Sequence, residues 1–113
     1  MVIEQRMVGQ VAILDLSGKL ALGDGDGLLK DKVRSLVFQG TTKILLNLGG
    51  LSYMDSAGLG ELISVLGTVK KVDGQVMVFN LTKRVSELLV ITRVITAFDV
   101  LDSEQEALKK IGG

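Results

Sequence analysis

The run "KILLNL", Lys43 to Leu48, constrains this fold more than any other feature, because it is apolar at nearly every position over the length of a strand. Successive side chains of a strand point to opposite faces, so such a run has to be covered on both sides. The period then changes. Leu59, Leu62, Ile63, Leu66 and Val69 recur at spacings of three and four, which predicts a helix from near Ser56 to just before "DGQ" at Asp73 to Gln75. A doubly covered strand leading into a helix is the repeating unit of a layered α/β sheet.

The flanking sequence extends that pattern. Val2 to Met7 and Val11 to Ser17 are short apolar runs that predict an opening hairpin turning near Gly9. Leu29, Val33, Leu36 and Val37 form one helical stripe, with Lys30, Asp31, Lys32 and Arg34 on its solvated side. Val76 to Asn80 reads as a strand, with Gly74 as the turn before it. Thr82 opens a third helix marked by Val85, Leu88 and Leu89, and Phe98 to Leu101 reads as a last short strand. Ser103 and Glu106 form the S-x-x-E pattern of a helix start, and the closing helix should reach Ile111 with Gly112 as its cap. The expected order is strand, strand, helix, strand, helix, strand, helix, strand, helix, with right-handed crossovers. Nothing in residues 1–113 suggests a linker or an internal repeat, so one domain is expected.

Composition narrows the chemistry. Hydrophobic residues make up 47% of the chain and aromatics only 4%, so the core is aliphatic. Thirteen basic residues balance thirteen acidic ones, which leaves no global field to attract nucleic acid or an anionic membrane. No apolar run approaches a membrane span, and "MVIEQRMVGQ" lacks the layout of a signal peptide, so a cytoplasmic protein without membrane insertion is expected. Histidine and cysteine are both absent, which removes the usual proton shuttle, the thiol nucleophile and most zinc ligands. These absences argue against an enzyme and against a cofactor held by this chain.

In "GDGDG", Gly23 to Gly27, a calcium loop starting at Asp24 would place Leu28 fifth and Ser35 twelfth, where an oxygen ligand and a glutamate are required. A turn with Asp26 as a helix cap is the better reading. No glycine pattern matches a nucleotide loop, and "SGK" at Ser17 to Lys19 lacks the glycine such a loop needs. The basic pairs at Lys70 and Lys71, Lys83 and Arg84, and Lys109 and Lys110 read as solvated helix surface. In "YMDSAGLGEL", a serine-hydrolase elbow would need glycine where Met54 stands. Asp55 or Ser56 could cap the helix that begins there. Ala57, Gly58 and Gly60 leave the serine uncovered. Each helical glycine costs about 1 kcal/mol relative to alanine, which points either to close approach by a partner or to tight packing on the sheet.

Over essentially its whole length the chain resembles the STAS domains, and especially the bacterial anti-sigma factor antagonists. The resemblance rests on "LDLSGKL", "KILLNLGGLSYMDSAGLGELI", "GQVMVFNLTKRVSELLVIT" and "AFDVLDSEQEAL", with D-S-x-G-[LVI] at Asp55, Ser56, Gly58 and Leu59 at its centre. It implies an α/β STAS fold, a mixed sheet with an N-terminal hairpin and parallel strands packed by about four helices. It also implies a non-enzymatic role in partner switching. By the same resemblance Ser56 is phosphorylated by an anti-sigma factor that is an ATP-dependent serine kinase, and a PP2C-type phosphatase reverses the modification. ATP and magnesium would belong to the kinase. The unphosphorylated form would bind the anti-sigma factor through Asp24, Asp55, Ser56, Ala57, Gly58, Leu59 and Gly60 and so release a sigma factor. One departure is Arg93 after Thr92, where relatives often carry a Thr-Gly pair at the end of the third helix. The alternative is a STAS scaffold subunit, in a stress-signalling or lipid-transport assembly, whose Ser56 is never phosphorylated.

Overall fold

The structure, a computed structural model, describes residues 1–23, 25 and 27–112. Strands β1 (Val2–Val8) and β2 (Val11–Leu20) form the opening hairpin, turning at Gly9 with its φ of 60°. Then come α1 (Leu28–Phe38), β3 (Lys43–Met54), α2 (Ser56–Lys70), β4 (Gln75–Phe79) and α3 (Lys83–Ile91). A 3-10 turn (Val94–Ala97), β5 (Asp99–Leu101) and α4 (Glu104–Ile111) complete the described elements. The sheet order is β1-β2-β3-β4-β5, antiparallel between β1 and β2 and parallel elsewhere.

The alternation of strand side chains divides the core in two. Ala12, Leu14, Ile44, Leu46, Val76 and Val78 face α1, α2 and α3, which supply Leu29, Val33, Leu62, Val65, Val85 and Leu89. On the other face Val11, Ile13, Leu45, Met77 and Phe79 are covered by Ala107 and Ile111 of α4. KILLNL is therefore the doubly covered centre of the sheet, with Ile44, Leu45, Leu46 and Leu48 fully buried. Beyond the apolar part of the α4 face a polar row begins. Arg6 binds Asp15 and Glu104, each at 2.6 Å, and Asn47 donates to Asp15 at 2.8 Å. The Arg6 guanidinium, and then the Asn47 amide, hold the Asp15 carboxyl below its ordinary pKa despite the opposing effect of burial.

Four expectations change in detail. First, β2 and β3 run on to Leu20 and Met54, further than Ser17 and Leu48, through register shifts between Asp15 and Ser17 and between Gly18 and Lys19. The extra residues at those bulges lie on β3, and the ladder continues past residues that read as turn signals. Second, the last strand begins at Asp99, and Val94–Ala97 forms a 3-10 turn ahead of it. Third, Val65 is fully buried in the α2 stripe and Ile63 is 47% exposed. Leu59, Leu62, Val65 and Val69 form a seam tighter than the spacing suggested, and Ile63 falls to one side of it. Fourth, of the reciprocal pair expected at α4, Ser103 Oγ accepts from the Glu106 amide at 3.2 Å, and among the described residues no bond returns from Glu106.

Candidate functional site: the start of helix α2

The long β2–β3 pair carries the chain past the end of β4 and delivers it to α2 beside the β2–α1 loop. Asp55 is the N-cap residue, with extended backbone at φ −116° and ψ −172°. One carboxylate oxygen, Oδ1, accepts from the Gly58 amide at 2.9 Å, an otherwise unpaired donor of the first turn. The other, Oδ2, accepts from the Leu22 amide at 3.1 Å and so ties the loop to the helix. These amides, Gly58 foremost and then Leu22, hold the Asp55 carboxyl below its ordinary pKa. With both oxygens committed to amides, Asp55 serves as a fixed anionic bracket and not as a free general base.

Ser56 is the first residue of α2 and is exposed. Its hydroxyl takes no part in the cap and makes no hydrogen bond to any described residue. At 100° per residue, Ser56, Gly60, Ile63 and Gly67 share one face of the helix, and Ile63 stands exposed on it.

The two glycines near this end have different causes. A Cβ at Gly58 would overlap the Leu20 carbonyl oxygen and come within 2.7 Å of its carbon, so glycine lets α2 sit directly on β2. A Cβ at Gly60 would meet nothing within 4 Å, and the same holds at Gly67. Packing therefore explains Gly58 and leaves Gly60 without an intramolecular reason. Leu59, expected among the partner contacts, is a core residue only 8% exposed, because it begins the buried seam of α2. Gly58 is likewise buried. Ser56, Ala57 and Gly60 form the accessible part of the set, with Asp55 half-buried beside them. Asp24 and the cap expected at Asp26 lie outside the described residues.

Glu61 is a site residue that sequence reasoning missed. Helix α1 starts from Gly27, left-handed at φ 78° and without a side-chain cap of its own. Glu61 reaches across from α2 and accepts from the Lys30 amide at 3.0 Å and the Gly27 amide at 3.4 Å. A carboxylate is favoured there by the exposed amides and the positive end of the helix dipole. No local signal announces this bond, since its partners lie 31 and 34 residues away in sequence. Between the loop and α2 lies an open groove of about 320 Å³, bordered by Ala21, Leu22, Lys30, Ala57, Gly60 and Ser64. Leu22 at its rim is 74% exposed.

Residues 3–107 match the STAS domain family. The chain belongs to that family. A relative from Thermotoga neapolitana, named as an anti-sigma factor antagonist and homolog of TM1081, is 28% identical over 108 residues, covering 96% of each chain. The anti-sigma F factor antagonist of Lysinibacillus sphaericus is 38% identical over 53 residues, 46% of this chain and 45% of that one. The anti-sigma factor antagonist SpoIIAA, solved unphosphorylated, superposes with a TM-score of 0.76 at 24% identity over 99% of each chain. Its phosphorylated form, from Bacillus, gives 0.74 at 22% identity, covering 97% of this chain and 99% of that one. The arrangement found here, a mixed sheet with a leading hairpin and helices on both faces, is the STAS fold. Among the described residues no helix is long and apolar enough to cross a membrane.

Proposed function

We propose that this STAS protein is an anti-sigma factor antagonist controlled by phosphorylation of Ser56. In this reading the unphosphorylated surface binds an anti-sigma factor that is itself an ATP-dependent serine kinase, and a sigma factor is released. A PP2C-type phosphatase restores the binding form. The observation that carries the proposal is the uncommitted Ser56 hydroxyl at the first position of α2, exposed beside a carboxylate that has taken over the capping role. Relatives named as anti-sigma factor antagonists, and the existence of a phosphorylated form of one of them, support it.

The energetics suit a switch that leaves the fold intact. A phosphate at Ser56 adds roughly −1.5 to −2 charges at the positive end of the α2 dipole, where an anion is favoured by about 0.3 to 1 kcal/mol. Buried against a partner and beside Asp55, the same dianion costs several kcal/mol in desolvation and repulsion. A loss of about 2.7 kcal/mol already weakens binding roughly a hundredfold. Ala57 and Gly60 let the partner's backbone come close, Asp55 fixes the serine for the kinase, and Gly58 and Leu59 act from behind by seating the helix.

The test is intact mass of the protein from its own host, before and after phosphatase, alongside Ser56→Ala. The proposal requires a phosphate-sized mass that phosphatase removes and that Ser56→Ala never carries. An unmodified protein in growth and stress alike would instead favour a scaffold role.

A further inference from the structure

Strand β1 forms one edge of the sheet. It is the first strand in the order and pairs on one side with β2 through all seven of its residues. Six of those seven are exposed, including Val2 at 56%, Met7 at 50% and Val8 at 37%. A long edge strand with apolar residues presents a row of unpaired backbone donors and acceptors, a template for a further strand.

The order of residues along this edge selects the further strand. Read outward from Gln5, the sequence "VIEQRMV" is complementary to itself in reverse. Antiparallel pairing of two copies about Gln5 sets Gln5 against Gln5, Glu4 against Arg6, Ile3 against Met7 and Val2 against Val8. Apolar residues meet apolar ones and each acid meets a base, the combinations that stabilise cross-strand neighbours. The pairing is symmetric, as a two-fold interface between identical chains requires. It is also insensitive to which alternate residues turn their amides outward, because either phase gives a closed antiparallel ladder about the centre.

The surroundings of Glu4 point the same way. Within the hairpin it stands directly opposite Asp15, a like charge, and its carboxylate makes no hydrogen bond or ion pair with any described residue. Arg6, by contrast, already bridges Asp15 and Glu104, and its side chain is still 42% exposed. A neighbouring copy would bring a second arginine to the unanswered acid. Charged residues on an edge strand commonly serve to block pairing. Here the two signs occupy positions that attract in the self-paired register.

We infer that β1 is a homodimerisation edge, through which two copies join their sheets antiparallel about Gln5. None of its residues belongs to the Ser56 site, so the inference stands apart from the proposed switch.

Sedimentation equilibrium from about 10 μM to about 1 mM, a range suited to weak association, tests it. The wild-type chain should pass from monomer to dimer. Glu4→Arg and Arg6→Glu should each raise the dissociation constant at least tenfold while circular dichroism confirms the fold. An equimolar mixture of the two variants should recover the dimer, since each supplies the charges that the other lacks. A monomer throughout the range would overturn the inference, and so would a dimer untouched by Glu4→Arg or two folded variants that fail to recover when mixed. Should Arg6→Glu fail to fold, amide exchange in the wild-type chain decides. Protection at residues 2–8 that grows with protein concentration supports the edge, and protection independent of concentration contradicts it.

Discussion

At the start of α4 the serine is the cap, and Ser103 Oγ accepts from the Glu106 amide at 3.2 Å. At the start of α3 Thr82 does the same, its hydroxyl accepting from Val85 at 3.3 Å. At the start of α2 the cap has moved one residue ahead, to Asp55, and Ser56 stands inside the helix with its hydroxyl unused. Asp102 precedes Ser103 as Asp55 precedes Ser56, so the same pair of residue types builds two kinds of helix end. Where the hydroxyl caps, it is consumed by the fold; where the carboxylate caps, the fold leaves the hydroxyl next to it unused. Asp55 also holds Leu22 and therefore fixes the loop beside the serine, whereas Ser103 binds only within its own turn.

The comparison breaks most severely at Gly58. Replacing Gly58 with alanine drives a methyl into the Leu20 carbonyl, and the chain should lose about 3 kcal/mol or more in denaturant unfolding. Next is Asp55. Asp55→Ala frees two amides at once and should lower Tm by roughly 4–6 °C, with the β2–α1 loop losing protection from amide exchange. Because the folded-state pKa of Asp55 is depressed, its contribution is fully present above the ordinary carboxylate range and is lost as pH falls through the lowered value. The acid limb of a Tm profile should accordingly be shallower in Asp55→Asn. Ser103→Ala is a smaller perturbation, about 1 kcal/mol by thermal or denaturant melting, with no effect on the Ser56 site.

The smallest change in stability sharpens the comparison furthest. Gly60→Ala adds a methyl in open space on a helix, so it should stabilise the fold by up to about 1 kcal/mol. If the bare surface there exists for a partner's approach, the same substitution weakens binding to the anti-sigma factor. A variant more stable and less able to bind would separate the glycine of packing, Gly58, from the glycine of recognition, Gly60.

Much of this was legible because the signals were local and periodic. KILLNL announced a doubly covered strand, and the cap candidates Asp55 and Ser103 marked the starts of α2 and α4. What stayed hidden depends on contacts between distant segments. The bulged extensions of β2 and β3 exist as a pairing between two strands, through register shifts that neither reveals alone. Glu61 reads as an ordinary solvated helix residue until α1 is brought against it. Leu59 was expected both in the apolar stripe of α2 and near the partner surface beside Ser56, and it belongs to the stripe. Arg93, after α3, takes a left-handed backbone at φ 63°, a conformation that costs a residue with a side chain about 1 to 2 kcal/mol.

The most direct measurement is the affinity of a cognate anti-sigma serine kinase for this protein with Ser56 unmodified and with Ser56 phosphorylated, taken alongside the Tm of both forms. The account predicts binding weakened about a hundredfold or more by the phosphate, with Tm nearly unchanged. Equal affinity of the two forms would contradict it, as would a loss of binding that accompanies a collapse in Tm.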